Sequence, residues 1–309
     1  MPVIQIDPSA LQALPVAPSL LGESPCWHPA EQVLYWVDIP GRQLNRYDPA
    51  SCTHRRWPFE TEPASLAPLQ SGGLVLAMRD GLWHFDTDSG QRRRLADAPY
   101  DPKRQRFNDG KADPQGRFWV GSIDEHAPRQ PLAALYRYRA GKLERVTGPA
   151  VVSNGLAFSP DGRTMYWSDT AAAKVWAFDF DGSDGSDGSL ARQRVFAEFK
   201  PKVPGQNLSD YGGRPDGGAV DTEGAYWCAM YEGARLCRFA PDGRLLQELA
   251  LPVRCPTMPC FGGPDLRTLY VTTATENRSA EELKALPLSG CVLHVRVDVP
   301  GLPVNFART

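Results

Sequence analysis

A strand-like run of aromatic and β-branched residues returns six times along this chain. The runs read LYWVDI at 34–39, LVLAMR at 74–79, FWVGSI at 118–123, MYWSDT at 165–170, YWCAMY at 226–231 and LYVTTA at 269–274. Their starts are 40, 44, 47, 61 and 43 residues apart, and each is followed by a second β-like run, opening at Leu44, Leu82, Ala134, Lys174, Arg235 and Cys291. A period of this length is that of a four-stranded propeller blade, stretched where a loop is inserted. Pro/Asp/Gly clusters at 114–117, 160–163 and 241–244 supply tight reversals between β runs. No stretch of a dozen residues carries a helical apolar period. A β-sandwich repeats its strands every 8 to 12 residues without a longer superperiod, and β-helix coils are shorter. The pattern therefore predicts an all-β, six-bladed β-propeller with four-stranded blades, a single domain over 1–309, with VIQI at 3–6 completing the last blade.

The same repeat aims side chains. Ten or eleven residues before four of the six runs stand Glu23 in GESP, Asn108 in RFNDGK, Asn154 in SNG and Asp216 in PDG; Ala64 and Met258 fall near that offset in the second and sixth repeats. Taking the six runs as the innermost strands, residues just ahead of them line one mouth of the central channel, so equivalent offsets mean convergence. Glu23, Asn154 and Asp216 offer two carboxylates and an amide oxygen, a hard donor set that suits a divalent ion in the channel mouth. Calcium comes first, with magnesium, manganese, zinc or iron as alternatives. A cation also relieves the repulsion between two carboxylates drawn together in a partly dry funnel. Asn or Asp before Gly is by itself an ordinary turn former; Glu23 is not, and four such motifs at one offset outweigh that reading. Arg106, two residues before Asn108, points the same way on an extended chain and offers a hydrogen-bond fork for substrate oxygens.

Other chemistries find little support. The 34 Lys and Arg against 36 Asp and Glu nearly cancel, and the longest basic run is Arg92, Arg93 and Arg94, so nucleic acid is not the expected partner. LQALPVAPSLLG at 11–22 is broken by prolines and reads as neither signal peptide nor membrane span. Seven scattered cysteines, an odd number, fit free thiols in a reducing cytoplasm; Cys255 and Cys260 lack zinc-knuckle spacing and a nearby His. DFDGSDGSDGSL at 179–190 has Asp184 where an EF-hand loop needs Gly and Leu190 where it needs Glu, and reads as a solvated hairpin tip. The five histidines form no HExxH or HxxxH, and no GxSxG elbow occurs.

The ordered motifs LGESPCW at 21–27, RFNDGKADPQGRFWVGSID at 106–124, VSNGLAFSPDGRTMYWSD at 152–169, RPDGGAVDTEGAYWCA at 214–229 and CFGGPDLRTLYVTTA at 260–274 resemble the regucalcin/gluconolactonase group of sugar-lactone hydrolases across nearly the whole chain. The resemblance implies one divalent metal held by Glu23, Asn154 and Asp216, with Asp216 as general base. It also implies that Arg106 and Asn108 contact substrate or metal-bound water. Asp124 and Glu125, after the GSI strand, are further candidates for gripping sugar hydroxyls, and the segment 200–210 with Tyr211 and Arg214 for the pocket rim. The expected reaction is hydrolysis of an aldonolactone to its aldonic acid. A non-catalytic calcium-binding protein is the alternative, and a protein-binding platform and a phosphotriesterase are more distant ones.

Overall fold

The computed structural model describes residues 4–5, 10–183 and 185–309. Six sheets follow one another along the chain, each built on four antiparallel strands; in the first five these run in sequence order from the inside outwards. Blade 1 comprises Gly22–His28, Val33–Asp38, Gln43–Asp48 and Thr53–Pro58; the inner strands of blades 2 to 6 are Pro63–Pro68, Gln105–Ala112, Ser153–Phe158, Arg214–Val220 and Pro256–Gly262. The chain is a six-bladed β-propeller. The burial gradient across a blade explains its composition: Val33–Asp38 is buried at every position, covered by neighbouring blades on both faces, whereas Thr53–Pro58 on the outer edge is mostly exposed. Strands buried on both faces read as continuous apolar runs, which is why the second strands dominate the sequence pattern.

Two expectations are corrected. The six conspicuous runs are the second strands of their blades, and the polar motifs ahead of them are themselves the innermost strands. Ring closure also differs. Gln12–Ala13 pairs antiparallel with Leu293–Arg296 and supplies the fourth strand of blade 6. Ile4–Gln5 instead runs parallel to Leu245–Ala250 at the edge of blade 5; Val3 and Ile6 of the VIQI run lie outside the described residues.

The two faces of the ring are unlike. On one, the longer connections gather: 125–132, 199–213 with the short 3₁₀ turn Leu208–Asp210, and 274–292 with the helix Ala280–Ala285, capped by the Ser279 side chain accepting from Glu282 N at 3.2 Å. Across the other, residues 301–308 run as a strap. Gly301 bridges to Asp221 of blade 5, Asn305 Nδ2 donates to Ala112 O of blade 3 at 3.2 Å, and Ala307 pairs with Leu69 of blade 2. Beneath the strap the inner strands enclose a cavity of about 100 Å³ walled by Cys26, Ala157, Ala219, Cys260 and Leu302, with Lys111 as its charged member. The 179–190 segment is the hairpin between Lys174–Phe180 and Leu190–Glu198, and Asp184 lies outside the described residues. All seven cysteines are free thiols, and among the described residues no helix is long and apolar enough to cross a membrane.

Candidate metal and substrate site

Each inner strand opens with a β-bulge. Pairing to the second strand slips between Glu23 and Cys26, Pro63 and Ser65, Phe107 and Gly110, Asn154 and Ala157, Pro215 and Gly218, and Pro256 and Met258. A bulge inserts an unpaired residue, bends the strand and re-aims the side chain beside it. Six bulges in register therefore present six side chains to the channel: Glu23, Ala64, Asn108, Asn154, Asp216 and Thr257. In blade 6 the bulged residue is Thr257, one position before Met258. The backbone requirement falls on the following residue in two of these, with φ of 49° at Ser24 and 63° at Gly155. At Gly155 a Cβ would also collide with Ser168 Oγ and Tyr226 Oη. The glycine of SNG thus serves backbone and packing, while Asn154 is left for the site.

A hydrogen-bond relay fixes the amides. Thr170 Oγ1 donates to Pro215 O at 2.7 Å, so it accepts from Asn154 Nδ2 at 2.8 Å, which turns Asn154 Oδ1 the other way, towards Asn108 Nδ2 at 2.6 Å. Asn108 Nδ2 also donates to Ser153 O at 2.8 Å, and Asn108 Oδ1 accepts from Arg106 Nη1 at 2.7 Å. Arg106 Nε is held by Glu125 Oε1 at 3.0 Å, and Glu125 Oε2 by Arg79 at 2.7 Å. Arg106 is buried and its fork is engaged with protein groups, so it acts on the mouth by orienting Asn108 and placing positive charge beside the carboxylates. Asp124 is fully buried, clamped by Arg104 at 2.9 and 3.2 Å and by Gln130 N at 2.6 Å. The structure brings Glu23, Asn108, Asn154 and Asp216 together with Arg106; it turns Asp124 into a loop anchor and ties Glu125 to two arginines.

The carboxylates are under electrostatic stress. Burial, then the charges of Asp216 and Asp109, raise Glu23 well above its ordinary range, and Arg106 opposes them only in part. Burial pushes Asp216 up to about 8, with Arg214 and Arg106 pulling it down and Asp109 pushing it up. Asp109, which the sequence reading passed over, sits next to Asn108 and is pushed up to about 6 by burial, against the attraction of Lys111. Its Oδ2 accepts from Leu156 N at 2.9 Å, yet Asp109 Oδ1 and Asp216 Oδ1 are buried with no hydrogen-bond partner among the described residues. Orphaned buried oxygens are costly and call for a counter-charge. Oxygen donors with excess negative charge fit a hard divalent cation. Among the described residues no three His, Cys, Asp or Glu side chains form such a set by themselves, so a cation held here would need a further oxygen donor such as the Asn154 amide. Asp109 had a faint signal, being acidic where the other repeats place Ser24, Gly155 and Gly217. Thr170 had none, since its partners are Asn154, on the neighbouring strand, and Pro215, in the next blade.

Comparison with known proteins identifies the family and the fold. Residues 21–275 match the family model described as the SMP-30/Gluconolactonase/LRE-like region. The chain is 43% identical over 284 residues to a 6-deoxy-6-sulfogluconolactonase of Pseudomonas putida, covering 92% of this chain and 94% of that one. It is 33% identical to regucalcin of Xenopus laevis, covering 93% and 95%. A crystal structure of a calcium-binding protein, regucalcin, from Agrobacterium tumefaciens superposes with a TM-score of 0.89 at 27% identity, covering 99% of each chain.

Proposed function

Because the chain belongs to the SMP-30/gluconolactonase/LRE-like family, we propose that it is a metal-dependent lactonase that opens a sugar lactone to its hydroxyacid at the bulge-lined mouth. The observation that carries this reading is the pair of buried carboxylate oxygens, on Asp216 and Asp109, that have no hydrogen-bond partner among the described residues, with the Asp109 charge bearing on Asp216. Glu23, Asn154 and Asp216 would hold the ion. When bound, a divalent ion in this setting supplies Lewis acidity towards the lactone carbonyl and makes water more acidic.

The chain's own residues do the rest. Asp216 takes the proton of the attacking water as its oxygen adds to the carbonyl carbon, then returns that proton to the ring oxygen as the ester C–O bond breaks, leaving a hydroxyacid. Burial holds Asp216 above the ordinary carboxylate range in the metal-free site, and a bound cation would draw it down and keep it ionised, as a general base requires. Thr170 keeps the Asn154 oxygen turned inward. Arg106 holds Asn108 for a substrate or water oxygen. Ring opening of gluconolactone, followed by acid release in weak buffer with and without chelator, is the test; full activity in the chelated protein would falsify the metal-dependent reading. The regucalcin relatives support a second reading, in which the same donors bind calcium without catalysis. A protein that binds calcium tightly yet opens no member of a lactone panel decides for it.

A further inference from the structure

Below the mouth the inner strands form a second ring. Three residues past each bulged position stand Cys26, Ala67, Lys111, Ala157, Ala219 and Cys260, one from each blade, and all six wall the cavity of about 100 Å³ beneath the strap. Alanine at three of these positions keeps the space open, while two thiols and an ammonium occupy the others. The cysteines belong to blades 1 and 6, which adjoin where the ring closes. Their inner strands touch on both sides of the pair: towards the mouth Thr257 Oγ1 donates to Gly22 O at 2.5 Å, and towards the strap a Cβ on Gly262 would lie 2.9 Å from the Trp27 ring. Between those contacts Cys26 and Cys260 face one small space, and the Trp27 amide is directed at the Cys260 sulfur. Met258, two residues before Cys260, lines the same cavity and adds a thioether. Lactone hydrolysis uses none of these sulfurs.

We propose that Cys26, Cys260 and Met258 form a second metal site in the lower channel, taking one soft monovalent ion of the copper(I) type, apart from the oxygen donors of the mouth. The inference goes beyond the lactonase reading and does not depend on it. Thiolate and thioether donors select copper(I) over hard cations. Zinc asks for four ligands, and among the described residues no third His, Cys, Asp or Glu joins the two cysteines. Two or three sulfurs are enough for copper(I). Charge balance agrees. Two thiolates and one monovalent ion leave a single negative charge, and a buried charge needs a partner; Lys111 supplies it from the same ring, held in place by donating to Gly218 O at 2.9 Å. Burial pushes both thiols up, Cys260 to about 11, with Lys111 acting against it on each. The metal-free pair is therefore protonated, and binding exchanges two S–H bonds for two S–Cu bonds, releasing two protons with no change of oxidation state.

The experiment titrates copper(I) into the full chain without oxygen, with a phosphine as reductant and calcium present to fill the mouth, in competition with a chromophoric copper(I) chelator. The wild type is expected to take one ion per chain from the chelator, and X-ray absorption to show sulfur neighbours alone. Cys26→Ala and Cys260→Ala should each abolish the transfer. Met258→Leu, which keeps the volume of the side chain, should raise the dissociation constant and remove one sulfur from the absorption spectrum while the melting temperature holds. Cys228 and Cys237, opposite one another in blade 5, are the rival pair, so Cys228→Ala should bind as the wild type does. A wild type that leaves all copper with the chelator overturns the proposal, as does retention of the ion by Cys26→Ala and Cys260→Ala or its loss in Cys228→Ala. Should the two cavity cysteine variants fail to fold, Met258→Leu decides: an unchanged constant and spectrum place the ion elsewhere and overturn the site.

Discussion

Blades 3 and 5 each bury two aspartates near the ends of the same inner strand, and the two ends treat them oppositely. At the strap end, Asp221 Oδ1 accepts from Glu223 N and Ala225 N, both at 3.0 Å, and Oδ2 from Trp227 Nε1 at 2.9 Å and Arg238 Nε at 2.7 Å. Asp113 repeats the arrangement, with Gln115 N at 2.9 Å, Arg117 N at 3.0 Å, Trp119 Nε1 at 2.8 Å and the Arg117 guanidinium. At the mouth end, Asp109 and Asp216 are also buried, yet each leaves an oxygen without a partner among the described residues. A satisfied buried acid is a structural peg; an unsatisfied one stores electrostatic cost that only a ligand or a proton relieves. The difference is invisible in residue type and decided by surroundings.

The largest effect should come from the unsatisfied member. Asp216→Asn is expected to lower kcat on a lactone about 10²- to 10⁴-fold while leaving the melting temperature of the metal-free protein unchanged or raised, since a strained charge is removed. Steady-state kinetics beside calorimetric melting checks both halves, and a fall in stability with activity retained would erase the contrast. Asp221→Asn should do the reverse: it removes the buried carboxylate from Arg238, leaves that arginine only the exposed Glu223, and costs up to about 3–5 kcal/mol, read in denaturant unfolding, with turnover per folded molecule preserved.

Next comes pH. Glu23, Asp109 and Asp216 all have native pKa values above their unfolded ones, so between the ordinary carboxylate range and about pH 8 the native state holds more protons than the unfolded chain. Stability of the chelated protein should therefore be greatest at the acid end of that window and fall as pH rises, by a few kcal/mol in order of magnitude. Saturating calcium should flatten the slope, because the ion takes the place of the protons; a chelated protein that gains stability from pH 5 to 8 contradicts the assignment. The smallest effect belongs to Thr170→Val, which releases the Asn154 amide. Cation affinity should weaken about 10- to 100-fold, as for loss of a group that orients a ligand, measured by calorimetric titration, with the fold intact.

The six-fold repeat and its convergence on one mouth were legible because strands buried on both faces must be continuously apolar. The same logic hid which strand is innermost. GESPCWH and RPDGGAV do not look like strands, since one face meets a crowded axis, the bulge interrupts the alternation, and Gly218 lies so close to the Tyr226 ring that a Cβ would not fit. The candidate residues Glu23, Asn108, Asn154 and Asp216 were picked out by their shared offset. Asp124 misled because its position after a strand says nothing of Arg104, twenty residues earlier, which engages both its oxygens.

The strap of residues 301–308 turns the channel into a cul-de-sac. Tied to blades 2, 3 and 5, it covers the end opposite the carboxylate-lined mouth, so in the proposed lactonase substrate and product share that mouth. Traffic is therefore one molecule at a time, and a newly formed acid that lingers at the threshold obstructs the next arrival.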